Sequence, residues 1–314
     1  MKTPTMGQGL IDVHEVEVGS DEYHTIKAVS CSMIKSFIED PQTCWEEYVA
    51  GISTRKENAG MRAGTALERL CFFDEAPNAC IIPQEVLQQR RKPNSDEMTY
   101  AKSGPAWNEW QERTIAEHGA DVMMLKQEEF NKTVTPLLMA RDALREHEAA
   151  AKLIWGDGEP HVSIVGTDVS TGIELPVKMQ LDMRHSRKII VDLKIAAPSV
   201  MSGIGSLMNR VKDYGYFLQS WSYRHMMYAM TGEEWPFIFV FVSSESPFRV
   251  KVLELDPDWD TLAESIWRDG LSRLSKCWQS GVWQPDDYGR IIKLPMPRYA
   301  MTAWEDEIKA RVSK

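Results

Sequence analysis

The stretch from Leu175 to Ala196 limits the fold of this chain more than any other. Leu175-Pro176-Val177-Lys178-Met179-Gln180-Leu181-Asp182-Met183 alternates apolar and polar residues near period two, and Ile189-Ile190-Val191 is a β-branched run suited to burial on both faces. His185-Ser186-Arg187-Lys188 between them is short and polar, which predicts a hairpin connection. In a twisted hairpin the end of one strand lies beside the middle of the next, so the carboxylates of Asp182 and Asp192 can converge. Residues two apart share a strand face, so Lys194 points the same way as Asp192.

Two carboxylates and an ammonium at one sheet edge suit a hard cation next to a fixed positive charge. Mg²⁺ takes oxygen ligands and keeps several waters, and such a water can attack a phosphodiester while the lysine orients it or offsets charge on the phosphate. Acidic-x-Lys triplets occur twice, at Asp192-Leu193-Lys194 and Glu307-Ile308-Lys309. The second sits in a charged C-terminal stretch that reads as a solvated helix, so only the first has a strand setting. The hairpin alone is equally compatible with an edge-strand salt bridge between Asp192 and Lys194, and the remaining segments decide between the two.

Ala63-Gly64-Thr65-Ala66-Leu67-Glu68-Arg69-Leu70 resembles the Gly-Thr-Ala-x-His helix of one nuclease group, Gln219-Ser220-Trp221-Ser222-Tyr223 matches its Gln-x-x-x-Tyr motif, and Val29 to Phe37 followed by Asp40-Pro41 resembles its opening helix. With the hairpin, these segments resemble the PD-(D/E)xK nuclease superfamily and, within it, the exonuclease VIII (RecE-type) family of phage and prophage recombination exonucleases. The resemblance implies an α/β fold with a restriction-endonuclease-like core, a mixed β-sheet flanked by helices. It also implies a metal site made by Glu68, Asp182, Asp192 and the backbone carbonyl of Leu193, with Lys194 positioning the attacking water. Glu68 stands where most of the family has histidine. A carboxylate there makes the shell all oxygen, which suits Mg²⁺, with Mn²⁺ as a substitute; the alternative is that Glu68 is a solvated helix residue and the first ligand is lost.

Gln219 and Tyr223 are four apart and share a helix face. The resemblance places Gln219 near the active site and Tyr223 against DNA or behind the lysine, while periodicity equally allows a core tyrosine beside Phe217, Trp221 and Tyr228. Arg62 and Lys35 are candidates for phosphate contacts. Arg90-Arg91-Lys92-Pro93-Asn94-Ser95 reads as an exposed loop, either a DNA-backbone contact or a solvated charge run.

The 314 residues, 43% hydrophobic, can bury a full core. With no Gly/Ser- or Pro-rich linker and motifs in both halves, one domain is expected over residues 1–314, with an N-terminal extension to about residue 28 and a mostly helical insertion over about 85–151. The net charge of −10 is unusual for a protein that grips nucleic acid, although it does not set the local potential. Trp235 to Val242 predicts a buried central strand, Phe248 to Leu255 an antiparallel one, and Asp258 to Gln279 a helix with Leu262, Ile266, Leu271 and Leu274 at helical spacing.

The five cysteines include no Cys-x-x-Cys pair, and only Cys277 lies in the second half, so no iron–sulfur cluster is expected. Scattered thiols suit a reducing cytoplasm. No signal peptide or membrane-spanning run is visible. The absence of a Gly-x-x-x-x-Gly-Lys-Ser/Thr loop predicts no use of ATP. The resemblance further implies double-stranded DNA ends as substrate, 5′-to-3′ degradation leaving 3′ overhangs, a homo-oligomeric ring and a single-strand annealing partner. Two alternatives stay open: a nuclease of the same fold acting on single-stranded ends or flaps, and a DNA-binding or assembly protein with a weakened site.

Overall fold

The computed structural model describes residues 6–52, 59–91, 96–119, 122–285 and 288–291, together with Lys293, Met296, Trp304 and Lys309. Lys92 to Ser95 and Glu307-Ile308 therefore lie outside the described residues. The strands are β1 (Leu10–Val16), β2 (Ala79–Ile81), β3 (Gln88–Arg91), β4 (Met98–Ala101), β5 (Met123–Leu125), β6 (Gly158–Asp168), β7 (Leu175–His185), β8 (Ile189–Ala196), β9 (Phe237–Ser243) and β10 (Val250–Glu254). The helices are α1 (Ser20–Thr25), α2 (Cys31–Glu39), α3 (Pro41–Cys44), α4 (Ala59–Phe72), α5 (Pro105–His118), α6 (Gln127–Thr133), α7 (Thr135–Glu146), α8 (Glu148–Ile154), α9 (Ile204–Asp213), α10 (Tyr216–Thr231) and α11 (Asp258–Ser280).

A six-stranded sheet in the order β1-β6-β7-β8-β9-β10 forms the centre. Every neighbouring pair is antiparallel except β8 and β9, which run parallel and are joined through α9 and α10. A parallel pair needs such a crossover, and helices on both faces follow from it. On one face Phe237, Phe239 and Phe241 of β9 pack with Ile34 and Phe37 of α2, Trp221 of α10 and Leu271 and Leu274 of α11. On the other, Val191, Leu193, Val240 and Val242 pack with Leu67 and Leu70 of α4 and Leu137, Ala140 and Leu144 of α7. The mixed sheet between helical layers agrees with the fold class expected from the sequence.

The predicted hairpin forms, with Lys188 closing its turn at φ 61°. Its ladder is short: Met183 pairs with Val191, Arg184 with Ile190 and His185 with Ile189. Beyond this β7 leaves β8, although it stays paired with β6 to Leu175. Val29 takes up bonding on β7 there, its N–H donating to Pro176 O at 2.8 Å and its carbonyl accepting from Lys178 N at 2.9 Å. This bridge sets the start of α2, which Ser30 caps by accepting the Met33 N–H at 3.2 Å.

Three segments differ from the sequence reading. The N-terminal extension contains β1, an edge strand of the main sheet paired to β6. Between residues 85 and 151, Arg90 and Arg91 lie on strand β3, which pairs with β4, rather than in a loop. Within that region Trp107 and Trp110 make a small core with Ile82, whereas α7 belongs to the main helical layer. In α11, Leu262 is 46% exposed; Ala263, Trp267, Leu271 and Leu274 form the buried stripe instead.

Candidate active site

The site lies where β7 and β8 part. Asp182 Oδ2 accepts the backbone N–H of Leu193 at 2.9 Å, so a carboxylate replaces a ladder carbonyl and is held against β8. Asp192, only 1% exposed, projects from β8 toward α10, where Gln219 Nε2 donates to its Oδ1 at 2.6 Å. Its Oδ2 faces the Lys194 ammonium as an ion pair but is otherwise buried without an aligned hydrogen bond. Glu68, from α4, stands within electrostatic reach of Asp182, Asp192 and Lys194. The four residues proposed from the hairpin and the Gly-Thr-Ala segment are therefore brought together from three elements.

Crowding of carboxylates away from water shifts their titration. Burial, then the neighbouring Asp182, pushes Asp192 up to about 7, against the opposing pull of Lys194 and Gln219. Burial, then Asp182, raises Glu68 well above the usual carboxylate range, and burial raises Asp182 despite Lys194 and the Leu193 N–H. Burial works against charge on Lys194 but is outweighed by Asp192 and Asp182, so the ammonium is held more firmly than in water. Because the carboxylates share Lys194 as their close cation, the pocket carries an excess of negative charge.

These residues fit a divalent cation in donor chemistry. The side-chain donors are all carboxylate oxygen, the charge excess is of the right sign, and Asp192 Oδ2 is buried with the Lys194 ammonium against it and no aligned hydrogen bond. Among the described residues, no three His, Cys, Asp or Glu side chains are drawn onto one point. The set would have to close around an ion, with Lys194 moving off Asp192.

The other predicted residues divide. Gln219 is at the site, whereas Tyr223 packs edge-on to Phe237 at 6.0 Å, and its phenol lies in a buried layer near Tyr23, Cys31, Asp192 and Asp182, which raises it strongly. Lys35 Nζ donates to Tyr214 O at 3.2 Å, tying α2 to the α9–α10 junction. Arg62 is exposed on α4. Arg90 and Arg91 are in the separate β3–β4 ribbon, where Arg90 is bonded to Gln88 Oε1 at 2.9 Å and Arg91 pairs with Asp96. The structure does not bring these two arginines to the carboxylates.

Sequence reasoning missed Tyr216 and Arg210. Lys194 Nζ lies 5.5 Å from the Tyr216 ring centroid, and the Arg210 guanidinium is near enough to the Tyr216 hydroxyl to oppose the rise that burial gives it. No motif spacing marks them; the one available signal is an arginine between Asp-x-Lys and Gln-x-x-x-Tyr.

A carboxylate hairpin split open on a mixed sheet, with Asp-x-Lys on the second strand and a helix-borne glutamine holding the second aspartate, defines the PD-(D/E)xK class. The chain belongs to the family described as PDDEXK-like domain of unknown function (DUF3799), whose profile matches residues 30–291, most of its length. Among solved structures it is similar to one described as a "Putative exonuclease" from Eubacterium rectale, with a TM-score of 0.59 and 15% identity over 92% of this chain and 99% of that one. At that identity the likeness is one of fold. No curated protein matches the sequence. Among the described residues no helix is long and apolar enough to cross a membrane.

Proposed function

We propose that this protein is a divalent-metal-dependent exodeoxyribonuclease that degrades the ends of linear double-stranded DNA in the 5′-to-3′ direction, as a RecE-type recombination exonuclease does. The observation that carries the reading is the convergence of Glu68, Asp182, Asp192 and Lys194 at the split hairpin, with Gln219 fixing Asp192 Oδ1. Family membership and the likeness to a structure described as an exonuclease support the same chemistry.

In this reading Glu68, Asp182, Asp192 and the Leu193 carbonyl hold Mg²⁺ or Mn²⁺. When bound, the ion supplies Lewis-acid neutralisation of charge on the scissile phosphate. Leu193 N–H and Gln219 Nε2 each hold one carboxylate oxygen, so the remaining oxygens are presented in fixed directions. Lys194 stays protonated and, once it leaves Asp192, its Nζ donates to the attacking water or to a phosphate oxygen. Tyr223 and Phe237 keep water from the back of the carboxylate layer. A closed ring around DNA and a single-strand annealing partner belong to the same reading.

The test compares linear with closed-circular duplex DNA in Mg²⁺, using strands labelled separately at each end. Loss of linear DNA alone, from its 5′ strands, supports the proposal. Digestion of circles, or release from the 3′ strands first, contradicts its end requirement or its polarity, and a preference for single-stranded ends moves the reading to the flap-type nuclease.

A further inference from the structure

We propose that Arg210 is a phosphate-binding residue of the substrate strand, presented beside Lys194 by Tyr214 and Tyr216. The inference rests on the nuclease reading and extends it to a residue outside the carboxylate motifs. Arg210 is in the last turn of α9, and its guanidinium carbon lies 3.4 Å from the centroid of the Tyr214 ring, with the Tyr216 hydroxyl within its electrostatic reach. Tyr216 in turn lies under Lys194 Nζ at 5.5 Å. One tyrosine thus stands between the lysine of Asp-x-Lys and a second cation.

Two features separate Arg210 from an ordinary surface arginine. No carboxylate pairs with it among the described residues. Its Nε is buried and has no hydrogen-bond partner, a state that is costly for a charged donor unless something else completes it. Stacking on an aromatic face fixes the plane of the fork, and a planar fork with free donors matches the oxygens of a phosphate. A cation at a helix C-terminus also complements the helix dipole, but that role needs neither the stack nor a buried free donor.

The surroundings fit an anionic strand. Lys35 Nζ is held on Tyr214 O at 3.2 Å, so a second cation is fixed at the same junction. Gly215, between the two tyrosines, has φ 61°, and a Cβ there would meet Lys35 Cδ at 2.8 Å; a side chain would push Lys35 away. Exposed Ile204 and Met208, one turn apart on α9, give an apolar flank that a sugar or base can cover. Against a net charge of −10, Lys35, Lys194 and Arg210 make a local positive margin on one side of the carboxylates.

The experiment measures binding of fluorescent single-stranded and blunt duplex oligonucleotides to the full chain by anisotropy in EDTA, across a salt series, beside cleavage in Mg²⁺. Arg210→Gln and Arg210→Ala are expected to bind on the order of tenfold more weakly, with a log affinity–log salt slope shallower by about one. Arg210→Lys is expected to restore the slope but only part of the affinity, because it keeps the charge and loses the stacked fork; Tyr214→Ala should show a smaller loss in the same direction. Wild-type binding and cleavage with an unchanged affinity and slope in Arg210→Gln would overturn the inference and leave the nuclease reading standing. Failure of the wild type to bind or cleave any DNA would overturn both.

Discussion

Asp182 Oδ2 accepts the backbone N–H of Leu193 at 2.9 Å, and this bond sits where the β7–β8 ladder stops. One carboxylate therefore both closes the split in the sheet and serves the site. Asp182→Asn keeps an oxygen for that N–H and is expected to fold with near-normal stability while losing cleavage. Asp182→Ala removes the acceptor as well, leaves the N–H unsatisfied, and should cost about 1–3 kcal/mol in addition. Thermal denaturation beside a cleavage assay checks both, and equal stability of the two variants would contradict the bonding role.

Gln219 contributes through Asp192. Its Nε2 bond at 2.6 Å favours the charged form of a carboxylate that burial and Asp182 push up to about 7. Gln219→Ala is predicted to raise that value further and to weaken Mn²⁺ binding roughly 10–100-fold, as loss of a partner behind a ligand does. Titration calorimetry with Mn²⁺ at neutral pH measures it; unchanged affinity would remove Gln219 from the site.

Acid stability should depend on His225. Its Nδ1 accepts the Gly7 N–H at 2.9 Å and its ring stacks on Trp221 at 4.5 Å, joining the N-terminal segment to α10. Burial, then Arg268, lowers it from 6.5 to about 4, against an opposing Glu264. A depressed value means the folded state binds fewer protons than the unfolded one between these limits. The contribution is present in full above about pH 6.5 and is lost as pH falls through about 4, to an extent on the order of 3 kcal/mol at about 1.4 kcal/mol per pKa unit. The raised Asp192, Glu68 and Asp182 carboxylates act in the opposite direction over the same range, so the decline is read as the difference between wild type and His225→Phe in urea unfolding from pH 7 to 4.

The helix α11 offers a test of packing alone. Leu271 is fully buried, so Leu271→Ala should cost about 2–5 kcal/mol. Leu262 is 46% exposed, so Leu262→Ala should change stability by less than about 0.5 kcal/mol. Chemical denaturation of the two variants distinguishes this stripe from one drawn by leucine spacing.

Leu262 also shows where the sequence stops being legible. Apolar spacing identifies α11, but Ala263, Trp267 and Gly270 rotate its buried face, and Gly270 is chosen by close approach of Ile34 rather than by hydropathy. The hairpin was legible because alternation, a polar turn and Asp-x-Lys are local features. Gln219 is legible through the resemblance of Gln219 to Tyr223 to a family motif; the four-residue spacing gives the two a shared helix face but no role. Strand β1, where Ile11, Asp12, His14 and Glu15 are all exposed and no alternation shows, carries an edge strand's weak signal and gains its identity from pairing with β6. Arg210 depends on Tyr214, Tyr216 and Lys194 meeting across elements, and no spacing within one segment encodes that meeting.

The most direct test of the central claim is digestion of linear duplex DNA in Mg²⁺ by the wild type and by Lys194→Ala, with circular dichroism to match their folding. Degradation by the wild type, reduced at least about 100-fold in the variant, is the predicted result, in line with loss of a group that stabilises charge in the transition state. Equal activity in the two proteins, or no cleavage by the wild type in either Mg²⁺ or Mn²⁺, would contradict the assignment of catalysis to this site.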